Sequence, residues 1–164
     1  MSNNCIVVAD GSRARFFCLE DVPSPETQSG PNLTEVNDLI NPEKEARDSE
    51  LFSDSKNGGN RTNGHGVHGY EDHRQRHETE NDRRFAKSIA ETAAQLARKH
   101  GANGVVLVAQ HHTLGMLRSE FESLSRTGMT IHEFHKDLSK LPVSKLQDVL
   151  AKERLIPKRR GPLS

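Results

Sequence analysis

From Asn41 to Glu71 the chain offers almost nothing that a protein interior can use, and this gap decides how the rest can fold. Its centre, Ser53 to Gly69 (SDSKNGGNRTNGHGVHG), holds five of the twelve glycines and a single valine. Such a segment buries too little apolar surface to offset the entropy of ordering it. The core must therefore be assembled from the two flanks. Residues 42–70 are expected to form a long, flexible Gly-rich loop within one domain, and loops of that length are usually functional or disordered.

The flank before the gap reads as strands. Cys5 to Ala9 is a short apolar run closed by Asp10-Gly11, a hairpin signal, and Ala14 to Leu19 can pair back on it. Pro23, Pro25 and Gly30 mark a turn region, and Leu33 to Ile40 reads as a third, edge-like strand. The flank after the gap opens with a helix. Phe85, Ile89, Ala93 and Leu96 form one stripe, Asp72 or Thr79 is the candidate cap, Thr79 with Asp82 resembles a capping box, and His100-Gly101 is the stop. Val105 to Ala109 is continuously apolar, as in a strand covered on both faces. Thr113 to Ser125 carries a second amphipathic stripe, Met129 to Phe134 a short strand, and Pro142 to Leu155 a third helix. The expected fold class is α/β, a mixed β-sheet flanked by helices, with a right-handed strand–helix–strand crossover in the second half. Residues 1–157 form a single domain in this reading, and 158–164 a flexible basic tail.

Composition excludes several classes. Hydrophobic residues are 32% of 164, too few for every segment to reach a core, and no run approaches the ~20 apolar residues of a membrane span. The N-terminus lacks the pattern of a secretory signal, and two cysteines make no disulfide scaffold, so a cytoplasmic location without a membrane partner is expected. Twenty-three basic and twenty-three acidic residues cancel, which excludes nucleic-acid binding through net charge alone. The distribution is uneven, however. Residues 1–57 hold 5 basic and 11 acidic residues, and residues 58–164 hold 18 and 12.

Four segments together resemble a bacterial family of host attachment proteins, required for attachment to host cells. They are Val8-Ala9-Asp10-Gly11-Ser12-Arg13-Ala14-Arg15-Phe16-Phe17, the Arg74 to Leu96 helix with Arg83-Arg84-Phe85-Ala86, Leu107-Val108-Ala109 running into Thr113-Leu114-Gly115-Met116-Leu117-Arg118, and Lys136-Asp137-Leu138-Ser139-Lys140-Leu141. The resemblance implies a fold similar to the middle domain of archaeal and eukaryotic peptide release factors. Those factors carry a Gly-Gly-Gln loop between a strand and a long helix, and Gly58-Gly59-Asn60-Arg61 stands in the same order here, with Asn60 one methylene shorter than Gln. On this comparison Gly58, Gly59, Asn60 and Arg61, with Arg74, Arg76, Arg83 and Arg84 of the long helix, are candidate contacts to the ribosome or to structured RNA.

The remaining constellations are weaker. His65, His68, His73 and His77 fall within thirteen residues, and His73 and His77 share a helical face. Without a nearby Cys or a His-Glu-x-x-His they read as solvated histidines, and no metal or cofactor is expected. Asp10, Arg13 and Arg15 read as a turn followed by two arginines on a solvent-facing strand side, or as a polar patch at the sheet end. Gln110-His111-His112-Thr113 lies where a strand passes to a helix N-terminus. Thr113 is a candidate cap there, and His112, Thr113 and Arg118 a candidate anion site. Cys5 and Cys18 read as buried, inert thiols. These readings leave three candidate functions: an RNA- or ribosome-binding protein, a non-catalytic interaction or regulatory protein affecting attachment with its protein partner unspecified, and a hydrolase of peptidyl-tRNA or RNA.

Overall fold

The computed structural model describes residues 4–44 and 68–162, except the side chains of 68–75, 77 and 78. Among the described residues, five strands form one sheet: β1 (Asn4–Ala9), β2 (Arg13–Glu20), β3 (Asn32–Ile40), β4 (Gly104–Ala109) and β5 (Thr130–His135). The helices that pack on it are α1 (His68–Lys99), α2 (His111–Arg126) and α3 (Val143–Lys152). The spatial order is β3-β2-β1-β4-β5, with β1–β2 and β2–β3 antiparallel and β1–β4 and β4–β5 parallel. The fold is α/β with a mixed sheet, as the alternation of periods implies.

Strand alternation sorts the core into two layers. Val7, Ala9, Ala14, Phe16, Val105 and Leu107 meet Ala86, Ile89 and Ala93 of α1 and Leu114, Leu117 and Phe121 of α2. Ile6, Val8, Phe17, Val106 and Val108 meet Leu146 and Leu150 of α3 and Leu138 before it. Val105 to Ala109 is fully buried for this reason: helices cover both faces of β4. The crossovers from β3 to β4 and from β4 to β5 advance the same way across the sheet. A common right-handed sense therefore puts α1 and α2 on one face. That leaves the other face to α3, where the buried Gln147 donates to the Pro31 carbonyl at 2.8 Å and accepts from the Leu33 amide at 3.2 Å, docking the helix on the edge strand.

Several boundaries differ from the sequence expectation. α1 begins at His68, so neither Asp72 nor Thr79 is its N-cap, and Pro42–Lys44 forms a helical turn. Of the expected loop 42–70, residues 45–67 lie outside the described residues. α1 has 32 residues and spans about 48 Å, more than twice the roughly 20 Å of a six-residue strand, so its first turns run past the sheet. Its end matches the sequence: Gly101 at φ +64 takes the left-handed position, and the Ala102 amide donates to the Ala97 carbonyl at 2.8 Å. α2 starts at His111 with Gln110 at the N-cap and no side-chain cap bond, so Thr113 is not the cap. In the tail, Arg160 exchanges two backbone hydrogen bonds with Gly30 (3.0 and 2.8 Å), which ties this part to the β2–β3 loop rather than leaving it frayed.

Burial on both faces makes β4 the energetic centre. Leu107→Ala should lower the unfolding free energy by roughly 2–5 kcal/mol in urea titration. The exposed Glu91→Ala should change it by no more than about 0.5 kcal/mol. A Leu107 effect as small as the Glu91 effect would mean that β4 is not central.

Candidate functional site at the carboxyl edge of the sheet

The chain leaves β1 toward β2 on one side of the sheet and leaves β4 toward β5 on the other. The carboxyl ends of β1, β3, β4 and β5 lie along one edge of the sheet. Here that end gathers the β1–β2 turn, the start of α2, the segment after β5 and the turn after β3.

Each part is held by specific bonds. Asp10 Oδ1 accepts from the Ser12 amide (2.8 Å), the Ser12 hydroxyl (3.0 Å) and the Arg13 amide (2.8 Å), closing the turn. Burial pushes the Asp10 pKa up, but the hydrogen bonds from Ser12, Arg13 and the Ser139 hydroxyl outweigh it and hold the carboxyl below its ordinary value. Asp137 Oδ1 accepts from the Ser139 hydroxyl at 2.8 Å. Buried Asn41 donates from its amide nitrogen to the Gly11 carbonyl at 3.4 Å, and its backbone amide to the Ser12 carbonyl at 2.8 Å. Asn81 of α1 donates to the Asn41 side-chain oxygen at 3.1 Å. Lys44 Nζ lies 3.8 Å from Asp82 Oδ1. His111 Nδ1 and His135 Nε2 are 2.8 Å apart with rings at 85°, joining the start of α2 to the end of β5.

Between α1 and α2 lies a shallow cleft whose free volume is about 20 Å³, room for roughly one water. Phe85, Ile89 and Met116 line its apolar side; Asp10, Lys44, Asp82, His112 and Thr113 line its polar side. The cleft is thus a nearly filled surface feature, apolar at its floor and polar at its rim.

The residues singled out in sequence fall in different places. Asp10, His112 and Thr113 converge on the cleft, but Arg118 does not join them. Its Nε donates to Glu133 Oε1 and Oε2 at 2.9 and 2.6 Å on the outer flank of α2, which raises its pKa through that bond and the Glu133 charge. Arg15 is not on a solvent-facing side. It is 8% exposed and bonds Glu35 (2.9 and 3.2 Å) and the Ser139 and Leu141 carbonyls (3.1 and 2.7 Å). Arg13 is exposed, 3.3 Å from Asp38. Arg76, Arg83 and Arg84 are exposed on α1, with Arg84 at 3.7 Å from Glu80. The arginines and lysines of α1 number seven and its acidic residues six, so the helix is nearly balanced. Arg74, His68, His73 and His77 lie on α1 with side chains outside the described set, and Gly58, Gly59, Asn60, Arg61 and His65 lie outside it altogether. Among the described residues no group of three or more His, Cys, Asp or Glu is placed to hold a metal, and no helix is long and apolar enough to cross a membrane.

Lys44, Asp82 and His135 were not legible as site residues. Asp82 carries a capping signal in sequence, and nothing local shows that Lys44 meets it.

A family model described as protein required for attachment to host cells matches residues 5–150. The chain belongs to this family. The match takes in the five strands except Asn4, α1, α2 and nearly all of α3, and so every group at the carboxyl edge. No curated protein matches the chain. The family's description supports a role in host-cell attachment.

The Asp10 turn makes a pH prediction. A carboxyl whose folded pKa is depressed contributes stability that is fully present above its unfolded pKa and is lost as pH falls through the lower folded value. The stability gap between wild type and Asp10→Asn should therefore be widest at neutral pH and should close as pH drops below 3.8. Thermal unfolding of both proteins across that range checks it, and a gap independent of pH would contradict the assignment.

Proposed function

We propose that this member of the host attachment family acts by binding, not by catalysis, and that it engages a protein partner at the carboxyl edge of its sheet. The observation that carries the reading is the convergence of the β1–β2 turn, Lys44, Asp82, His112 and Thr113 around one apolar-floored cleft. The polar groups there bond mainly to one another: Asp10 to its turn, Lys44 to Asp82, His111 to His135. Such an arrangement fixes a pre-formed surface, apolar at its centre and polar at its rim, of the kind a protein partner covers. A cytoplasmic location belongs to the same proposal. The effect on attachment is then indirect, through an intracellular partner.

A second reading, contact with the ribosome or structured RNA in the manner of a release-factor middle domain, is favoured by one observation. Arg76, Arg83, Arg84 and Lys87 are exposed on the helix that overruns the sheet. The near balance of charge along that helix weighs against it. The hydrolase reading rests on Asn60, which lies outside the described residues.

Complementation of a strain lacking the chain tests the first reading. Lys44→Ala, His112→Ala and Thr113→Ala combined should leave the fold intact by circular dichroism, yet reduce attachment to the level of the deletion strain. Full attachment by the triple variant at normal abundance would remove the carboxyl edge as the binding surface. Sedimentation with ribosomes separates the second reading. If RNA is bound, Arg76→Gln, Arg83→Gln and Arg84→Gln together should lower the salt slope by roughly one unit per lost phosphate contact. Absence of wild-type co-sedimentation at low salt would end it.

A further inference from the structure

We infer that Cys5 and Cys18 are a covalent redox site: they close to a reversible intramolecular disulfide across the β1–β2 hairpin, with hydrogen peroxide as oxidant. The two are the only cysteines in the chain and stand directly opposite each other in the antiparallel register. Their sulfurs are 3.3 Å apart, so bond formation at the usual length of about 2.04 Å asks for little more than side-chain rotation. Both are buried, at 3% and 2% exposure, in an apolar cluster of their own with Ala97, bordered by Leu96, Ala102 and Met129. These neighbours present apolar side chains, and each thiol finds its hydrogen-bond partner in the other. The shared bond raises the pKa of Cys5, helped by burial, and lowers that of Cys18 against the opposing effect of burial. Cys18 is taken as the first attacking sulfur; exchanging the two roles gives the same product.

The chemistry balances without a further co-reactant. The Cys18 thiolate attacks one peroxide oxygen. An S–O bond forms, the O–O bond breaks, and the departing hydroxide takes the displaced proton as water. The product is a sulfenic acid at Cys18. The Cys5 sulfur then attacks the Cys18 sulfur. The S–S bond forms, the S–O bond breaks, and the hydroxide leaves with the Cys5 proton as a second water. Two thiols lose two electrons in all, and one peroxide becomes two waters. A dithiol reductant reverses the bond by exchange. The bond would cross-link the two strands whose connecting turn, Asp10 to Ser12, borders the cleft.

The test uses the full chain, reduced, freed of reductant and exposed to hydrogen peroxide with glutathione as a reactivity standard in a parallel tube. Unreacted thiols are then alkylated under denaturing conditions, and the peptides are mapped by mass. The expected product is a monomer with Cys5 and Cys18 joined, lighter by two hydrogens than the reduced peptides, resistant to alkylation and restored by dithiothreitol. In Cys5→Ala, Cys18 should instead be trapped by dimedone as the sulfenic acid. The wild-type mass readout stands whether or not that variant folds. Both cysteines alkylated after the glutathione is consumed would overturn the inference. So would Cys18 driven to the sulfinic acid beside a reduced Cys5, or a disulfide between two chains.

Discussion

The Arg15 guanidinium is the constraint on which the arrangement of the carboxyl edge depends. It leaves β2 on the α3 side of the sheet, pairs with both carboxylate oxygens of Glu35 on β3, and donates to the Ser139 and Leu141 carbonyls in the segment between β5 and α3. Its charge also lies 5.0 Å from the Phe17 ring centroid, where a cation is attracted to the aromatic face. Burying a cation costs several kcal/mol unless its donors are satisfied, so this pair alone adds little net stability. Its contribution is geometric. Ser139, held through its carbonyl by Arg15, donates its hydroxyl to Asp137 and helps lower the Asp10 pKa, and Asp10 closes the turn that borders the cleft. One cation thereby aligns the edge strand, the approach to α3 and the first hairpin.

The fold was legible where local pattern and tertiary environment agree. The continuous apolar run Val105 to Ala109 demands cover on both faces, and helices from two directions supply it. The hairpin at Asp10-Gly11 and the helix stop at Gly101 are short-range chemistry, and both stand. Arg15 shows where pattern reading fails. Two arginines at alternate strand positions look solvent-facing, yet the Ser139 and Leu141 carbonyls that cover Arg15 come from more than a hundred residues later. The start of α1 failed for a related reason. Residues 68–80 carry no apolar stripe, and a helix without one gives no periodicity to read.

The site was legible in pieces but not as an assembly. Asp10, His112 and Thr113 were each visible at the end of a strand, and topology brings them to one cleft. Arg118 comes after them in sequence but lies two turns into α2, where Glu133 captures it. The His111–His135 contact and the facing of Cys5 and Cys18 depend on strand register, which no single segment encodes.

Amide exchange in wild type and Arg15→Lys measures the central dependence directly. Lysine keeps the charge but lacks the planar fork that reaches Glu35 and two carbonyls at once. Exchange at Ser139, Leu141, Ser12 and Arg13 should accelerate by about a factor of ten or more, equivalent to about 1.4 kcal/mol of local opening, while Val106 and Leu107 keep their protection. Unchanged exchange at these four amides, or an equal loss of protection across β4, would contradict the view that Arg15 organises the carboxyl edge.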